Sequence, residues 1–194
     1  LTLAKVMASN TTGGIDLGEL NPRIPEMLRT PSGKIELAPP SLLADMARPL
    51  ADLARPEPEL VIIGRRDVRT NNSWMHNLPT LAKGPFRCTA LVNPIDAARL
   101  GLQDGGLAQI AARTFPPETP RVVQAQVQIS AQMMPGVVSL PHGWGHNLPG
   151  AKLHLAAQRP GANLNALLDD QLRDPLSGNA VLGGVAITMI AVMA

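Results

Sequence analysis

Apolar and polar side chains alternate most regularly between Val122 and Ile129. There Val123, Ala125, Val127 and Ile129 fall on one side, and Gln124, Gln126 and Gln128 on the other. A period of two belongs to a β-strand with one buried face. Further strands are predicted at 60–63, 86–92, 107–112, 137–140 and 185–192, from short apolar runs bounded by glycine, proline or polar turn residues. A glycine, Gly64, closes the first of these, and the run at 60–63 has the content of a buried strand. Alternation at Lys34, Ile35, Glu36 and Leu37, leaving the turn Thr30-Pro31-Ser32-Gly33, predicts a further short strand.

Helical spacing is sparser. Leu42, Leu43, Met46, Leu50 and Leu53 predict a helix over 41–53, with Ser41 as N-cap and an interruption at Pro49. Pro94 suits the first turn of a second helix over 95–100, which Gly101 closes. Asp104-Gly105-Gly106 reads as a hairpin-type turn, Met133-Met134-Pro135-Gly136 and 174–178 as further turns, and 11–20 as loop. Many short strands joined by glycine and proline turns predict a compact β-rich barrel with a few short helices. Arg55-Pro56-Glu57-Pro58 is a stiff linker. It divides an arm over 1–58, the remnant of a preceding domain, from a domain over 59–194.

Composition changes the picture in one respect: aromatic residues make up only 2% of the 194 positions, with no Tyr, so the core must be aliphatic. Lys and Arg number 17 against 15 Asp and Glu, a net charge of +2. That margin gives no broad basic face, and nucleic acid is not an expected partner. A single cysteine, Cys88, excludes an internal disulfide and, with no thiolate partner, is expected to be a small buried residue without a catalytic role. The apolar run at 185–192 is too short to cross a bilayer, so no membrane-spanning segment is expected. The chain does not begin with Met and has no signal-like start, so it is expected to be cut from a longer protein, with a cytoplasmic location favoured.

Three stretches carry candidate chemistry. Behind the strand at 60–63 stand Gly64, then Arg65, Arg66 and Arg69, then Thr70, Asn71, Asn72 and Ser73. Arginines meet phosphate bidentately and a polar turn presents backbone N–H groups to an anion, so this stretch is expected to form an edge for a phosphate-bearing ligand, with Arg65 the first choice among the arginines. As plain solvated charges and turn residues they would carry nothing. Trp74 is either a core residue or a wall against a planar ligand, and His76 is a lone histidine able to give one hydrogen bond. The second stretch, Pro141-His142-Gly143-Trp144-Gly145-His146, is too rich in glycine for the helix that a pair of metal-binding histidines would need, and is expected to be a loop whose backbone approaches a ligand closely. In the third, Asn163 either caps a short helix or offers its amide, donor and acceptor at once, to the edge of a ligand. No phosphate loop of the GxxxxGK[ST] type is present.

Gly64 to Gly84 (GRRDVRTNNSWMHNLPTLAKG), Asn93 to Gly106 (NPIDAARLGLQDGG), Met134 to His146 (MPGVVSLPHGWGH) and Ala162 to Asp170 (ANLNALLDD), in this order, resemble the C-terminal dinucleotide-binding domain of the molybdopterin oxidoreductases. These are enzymes of the formate dehydrogenase, nitrate reductase and dimethyl sulfoxide reductase type. TPSGKIELAPP, from Thr30 to Pro40, resembles the segment leading into that domain, so the resemblance runs from about Thr30 to the C-terminus. It implies a six-stranded double-psi β-barrel that holds one half of a bis(molybdopterin guanine dinucleotide) cofactor carrying Mo or W. The implied cofactor contacts are Gly64, Arg65, Arg66, Asn71, Asn72, Ser73, Trp74, His76, His142, Gly143, Trp144 and Asn163. The metal ligand and the redox chemistry would lie in upstream domains of the same protein; the fragment alone would be non-catalytic, and the cofactor is implied for the full-length protein. A different class of protein, a standalone psi-barrel serving interaction or substrate recognition, is the alternative.

Overall fold

The computed structural model describes residues 1–9 and 14–192. Two compact units divide it, Leu1–Arg48 and Pro49–Ala194. In the first, helices α1 (Leu3–Ala8) and α2 (Pro40–Asp45) bury none of their residues, and α3 (Ala47–Asp52), which runs through the boundary, buries none either. The expected strand at 34–37 is not formed. Thr30 Oγ1 instead donates to the Lys34 carbonyl at 2.6 Å, closing the turn on itself with no second strand to pair with. Ser41 lies inside α2 and is not its N-cap, because the helix begins one residue earlier on Pro40, whose fixed φ suits a first turn. Of the loop expected over 11–20, residues 11–13 lie outside the described residues.

The second unit is a closed six-stranded barrel. Its strands are β1 (Val61–Arg65), β2 (Thr89–Val92), β3 (Leu107–Ala112), β4 (Val122–Ile129), β5 (Val137–Pro141) and β6 (Val185–Ala191), in the spatial order β1-β5-β2-β4-β3-β6. Two neighbouring pairs are parallel, β1 with β5 and β2 with β4; the other four are antiparallel. This is the double-psi barrel that the resemblance implied. Short helices α4 (Pro79–Ala82), α5 (Pro94–Arg99) and α6 (His154–Ala157) and a 3-10 helix at Leu164–Leu167 occupy the connections.

The interior explains the aliphatic composition. A six-stranded barrel has a narrow bore. It is filled by small residues at Ala90, Ala108 and Ala125 and by branched ones at Ile62, Val92, Ile110, Val127, Val138, Leu140 and Ile187, with no aromatic ring among them. On β4 the alternation read from the sequence is the burial pattern observed, Val123, Ala125 and Val127 inward and the glutamines outward or at the margin. Gly101, at φ +64, follows α5 as expected, and Asn93 caps that helix by accepting from the Ile95 N–H at 2.8 Å.

Two boundaries differ. Phe86 and Arg87 are not part of β2, which starts at Thr89; Phe86 turns instead to pack on Trp144, at 5.6 Å between ring centroids. Gly64 does not end β1 but sits within it, opposite Leu140 of β5. Nor is β1 buried on both faces: Ile62 is 1% exposed and Ile63 is 38% exposed. The Asp104-Gly105-Gly106 turn joins the end of the α5 segment to β3, and so does not connect two paired strands.

Candidate functional site

Parallel pairing of β1 with β5 brings Arg65 opposite Pro141, so the two chains leave the barrel side by side at the same end. The His142 N–H donates to the Arg65 carbonyl at 2.9 Å, extending the ladder by one step. Beyond it, Arg66 and His142 line one recess of about 200 Å³ with Ile63, Gly64, Leu164, Leu168, Leu182 and Gly183. Two stretches that are 76 residues apart are thus joined by strand pairing alone, here between positions 66 and 142.

The arginines divide by role. Arg65 turns its guanidinium onto the barrel, donating from Nη1 to the Ser139 carbonyl at 2.5 Å and from Nη2 to the Thr89 carbonyl at 2.7 Å. It therefore fastens β1 to β5 and β2; burial lowers its pKa, opposed by the nearby Cys88 and Asp67. Arg69 donates to the Thr80 carbonyl at 2.9 Å and to the Leu81 carbonyl at 3.4 Å, at the end of α4. Arg66 alone of the three points to solvent, with Nη1 donating to the Asn72 Oδ1. His142 is held below its usual pKa by burial and then by the Arg66 charge, so it stays neutral beside that cation.

The turn that carries Asn72 is unusual in backbone. Asn71 and Asn72 stand at φ +42 and +64, the left-handed region that asparagine tolerates better than most residues. Asn71, Asn72, Ser73 and Trp74 are all exposed; Trp74, at 78%, is not a core residue. Gly143, at φ +91, packs so closely on this turn that a Cβ there would lie 2.2 Å from the Asn72 carbonyl oxygen. Gly145, at φ +105, does the same with the third stretch: its Cβ would lie 2.5 Å from the Cβ of Asn163. The glycines of the loop thus serve contacts within the chain.

Asn163 caps the 3-10 helix, its Oδ1 accepting from the Asn165 N–H at 3.1 Å. The segment before it is pinned by Cys88, whose sulfur accepts from the Ala162 N–H at 3.2 Å. Burial pushes the Cys88 thiol up to about 11. Leu164 then closes over Gly64, where a Cβ would meet Leu164 Cδ2 at 3.1 Å.

His76 is not a lone histidine. It is 6% exposed, its Nδ1 lies 2.6 Å from Nε2 of His146, and its ring stands 4.2 Å from that of Trp144. Burial and then the neighbouring His146 push it down to about 4. Nothing in the spacing of positions 76 and 146 signals this pairing, which depends on how the 70s turn and the glycine loop meet. Asn77, next in sequence, accepts from the Leu155 N–H at 2.9 Å and the Ala156 N–H at 3.2 Å, and so caps α6 from a distance. A second cavity, of about 230 Å³, opens beside this cluster, lined by Met75, His76, Leu81, Phe86, Trp144 and Leu155 among others. Sequence reasoning gave no hint of it.

Among the described residues no group of three or more His, Cys, Asp or Glu side chains could hold a metal ion, and no helix is long and apolar enough to cross a membrane.

A family model described as the molydopterin dinucleotide binding domain matches residues 60–186. Among solved structures, acetylene hydratase from Pelobacter acetylenicus superposes with a TM-score of 0.60 at 22% identity, over 83% of this chain and 24% of that one. The chain thus corresponds to about a quarter of that protein's length, and the likeness is one of fold. No curated protein sequence matches.

Proposed function

The chain belongs to the family of molydopterin dinucleotide binding domains, and on that premise we propose that it holds one half of a bis(molybdopterin guanine dinucleotide) cofactor within a molybdenum or tungsten oxidoreductase. The observation that carries this reading is the convergence of three sequence-distant stretches on one end of the barrel. Arg66, the Asn71–Asn72–Ser73 turn, the His142–Gly143 backbone and Asn163 are held together there by contacts that only glycine at 143 and 145 permits.

The chemistry of these groups fits a long, anionic, heteroaromatic ligand. Arg66 is a fully charged, solvent-facing donor, suited to a pyrophosphate oxygen. The segment of Asn71 and Asn72, both at left-handed φ, is a tight exposed turn, and a turn is the kind of backbone that can present N–H groups to an anion. The free part of the Asn163 amide and neutral His142 can read a pterin or guanine edge. Gly64, covered by Leu164, lines the recess, and the exposed indole of Trp74 supplies a wall. Arg65 acts one step back, holding the strand that carries Arg66. When bound, the cofactor supplies the sulfur ligands of the metal and its two-electron chemistry; the metal's protein ligand and the substrate funnel belong to upstream domains of the same protein.

Metal analysis by mass spectrometry, with acid release of pterin and guanine nucleotide from the protein as isolated from cells, tests the proposal. We expect molybdenum or tungsten together with both organic products, and less retained pterin in Arg66→Ala at an unchanged melting temperature. A protein with no metal of either kind and no extractable pterin would instead be an interaction module built on the same barrel.

A further inference from the structure

We propose that the cavity lined by α4, the segment after it and α6 is a second binding site, for a single-ring aromatic carboxylate. This cavity, of about 230 Å³, and the cofactor recess have no lining residue in common. Its lining joins concentrated positive charge to apolar and aromatic walls.

Arg69, Lys83, Arg87 and Arg159 line the cavity, and among the described residues no acidic side chain does. Asp67 pairs with Arg87, its Oδ2 standing 3.8 Å from Nε, so four cations less one anion leave +3 there. The whole chain sums to only +2. Positive charge is therefore concentrated at this cavity, which draws an anion toward it. The three arginines are gathered by neutral partners. Arg69 donates to the Thr80 and Leu81 carbonyls at 2.9 and 3.4 Å, Arg159 to those of Gly84 and Ala82 at 2.9 and 3.3 Å, and Arg87 to that of Lys83 at 3.4 Å. Consecutive carbonyls from 80 to 84 thus hold three guanidinium groups close together without cancelling their charge. Among the described residues Nη1 of Arg69 and Nη2 of Arg87 and Arg159 have no hydrogen-bond partner, so each arginine keeps a donor for a carboxylate oxygen.

The walls set the remainder of the ligand. They include Met75, Leu81, Phe86, Trp144 and Leu155. Of the chain's two Phe and two Trp, one of each is here, with ring centroids 5.6 Å apart and planes at 70°. An apolar cavity of about 150 Å³ takes up benzene, so this one accommodates one ring with a short substituent. The guanidinium carbon of Arg159 stands over the Phe86 ring, 5.9 Å from its centroid. A ring laid against Phe86 therefore brings its carboxylate to that guanidinium, and apolar surroundings strengthen the pairing. A bare anion leaves the walls unused, and a neutral ring leaves the cations unused.

Of the eight methionines only Met75 lines the cavity, while Met134 is exposed elsewhere, so methyl spectra hold both a reporter and an internal reference. The test is a titration of the full chain, labelled with ¹³C at the methionine methyls, with benzoate, toluene and acetate in turn. Benzoate should shift the Met75 methyl saturably while Met134 stays in place, and toluene should bind about tenfold more weakly for want of the charge. Acetate should give no saturable shift. Raising the ionic strength from about 0.05 to about 0.5 M should weaken benzoate several-fold and leave toluene no weaker. Replacing the two exposed cations together, Lys83→Gln with Arg159→Gln, should bring benzoate down toward toluene, whereas Arg66→Ala, in the recess, should leave benzoate unchanged. Should the double variant not fold, the three probes on the unaltered chain decide alone. No saturable benzoate shift at Met75, or equal affinity for benzoate and toluene, would overturn the proposal. Acetate binding as tightly as benzoate would show a surface anion contact only, and a loss of benzoate in Arg66→Ala would place it in the recess; either result would overturn the proposal equally.

Discussion

At the scale of single residues the site depends on what is missing from its side chains. Gly143 combines a left-handed φ of +91 with the close approach to Asn72, so an alanine there is strained in backbone and blocked by a carbonyl that cannot swing aside. We expect Gly143→Ala to lose about 2–4 kcal/mol of stability, read from urea unfolding; a loss under about 0.5 kcal/mol would show that the turn yields easily. His76 gives a prediction of a different kind. It titrates near 4 in the folded chain against an ordinary 6.5, so between those values the unfolded chain binds a proton that the folded chain refuses. Stability contributed by the neutral ring is complete above pH 6.5, falls as pH drops toward 4, and levels off below. His142 and His146 are lowered too and add to the slope with the same sign. His76→Gln should make the fall in urea midpoint between pH 6.5 and 4 shallower; an unchanged slope would assign the whole effect to other groups.

At the scale of the element, β1 shows why some of the site was legible and some was not. Its apolar run gave the strand, and the cationic residues after it gave the candidate site, because both signals are local. Which arginine faces outward is not local. Arg65 is drawn inward by carbonyls of β2 and β5, strands that lie 24 and 74 positions away, at 89 and 139. The first choice among the arginines could therefore not be made from the sequence. The same holds for His76, which looks solitary until the glycine loop brings His146 to it. The glycines of that loop suggest room for a ligand in the sequence, whereas the contacts they make in the fold are with Asn72 and Asn163. Alternation along β1 supplies a paired test. Ile62 fills the bore and Ile63 lines the recess. Ile62→Ala should cost about 2–5 kcal/mol of stability. Ile63→Ala should stay within about 0.5 kcal/mol while lowering the pterin retained on isolation. Equal stability losses in the two variants would mean that the outer face of β1 is also core.

At the scale of the whole molecule, hydrophobic patterning marked the six strands of the barrel but not their order. Strand pairing places β5 between β1 and β2, and β4 between β2 and β3, with two parallel pairs that no turn or periodicity announces. Topology was legible only through resemblance, since the ordered motifs carry it as a set. The N-terminal unit shows the reverse case. Its Leu42, Leu43 and Met46 keep helical spacing, which predicts a helix, yet α1 and α2, and α3 across the boundary, bury none of their side chains. Apolar periodicity is a request for a partner surface, and within Leu1–Arg48 that request is unmet. The barrel by contrast closes its own hydrogen-bonded ring, with no open edge, and fills its own bore. Its stability should therefore be its own. A chain of residues 56–194, lacking α1 to α3, should unfold in urea as a single transition at a midpoint within error of the full chain. It should also be less prone to self-association, because exposed side chains such as Leu42, Leu43 and Leu50 are gone. A clear drop in midpoint on removing residues 1–55 would mean that the barrel core depends on the arm, and light scattering on both chains would separate that result from a change in association.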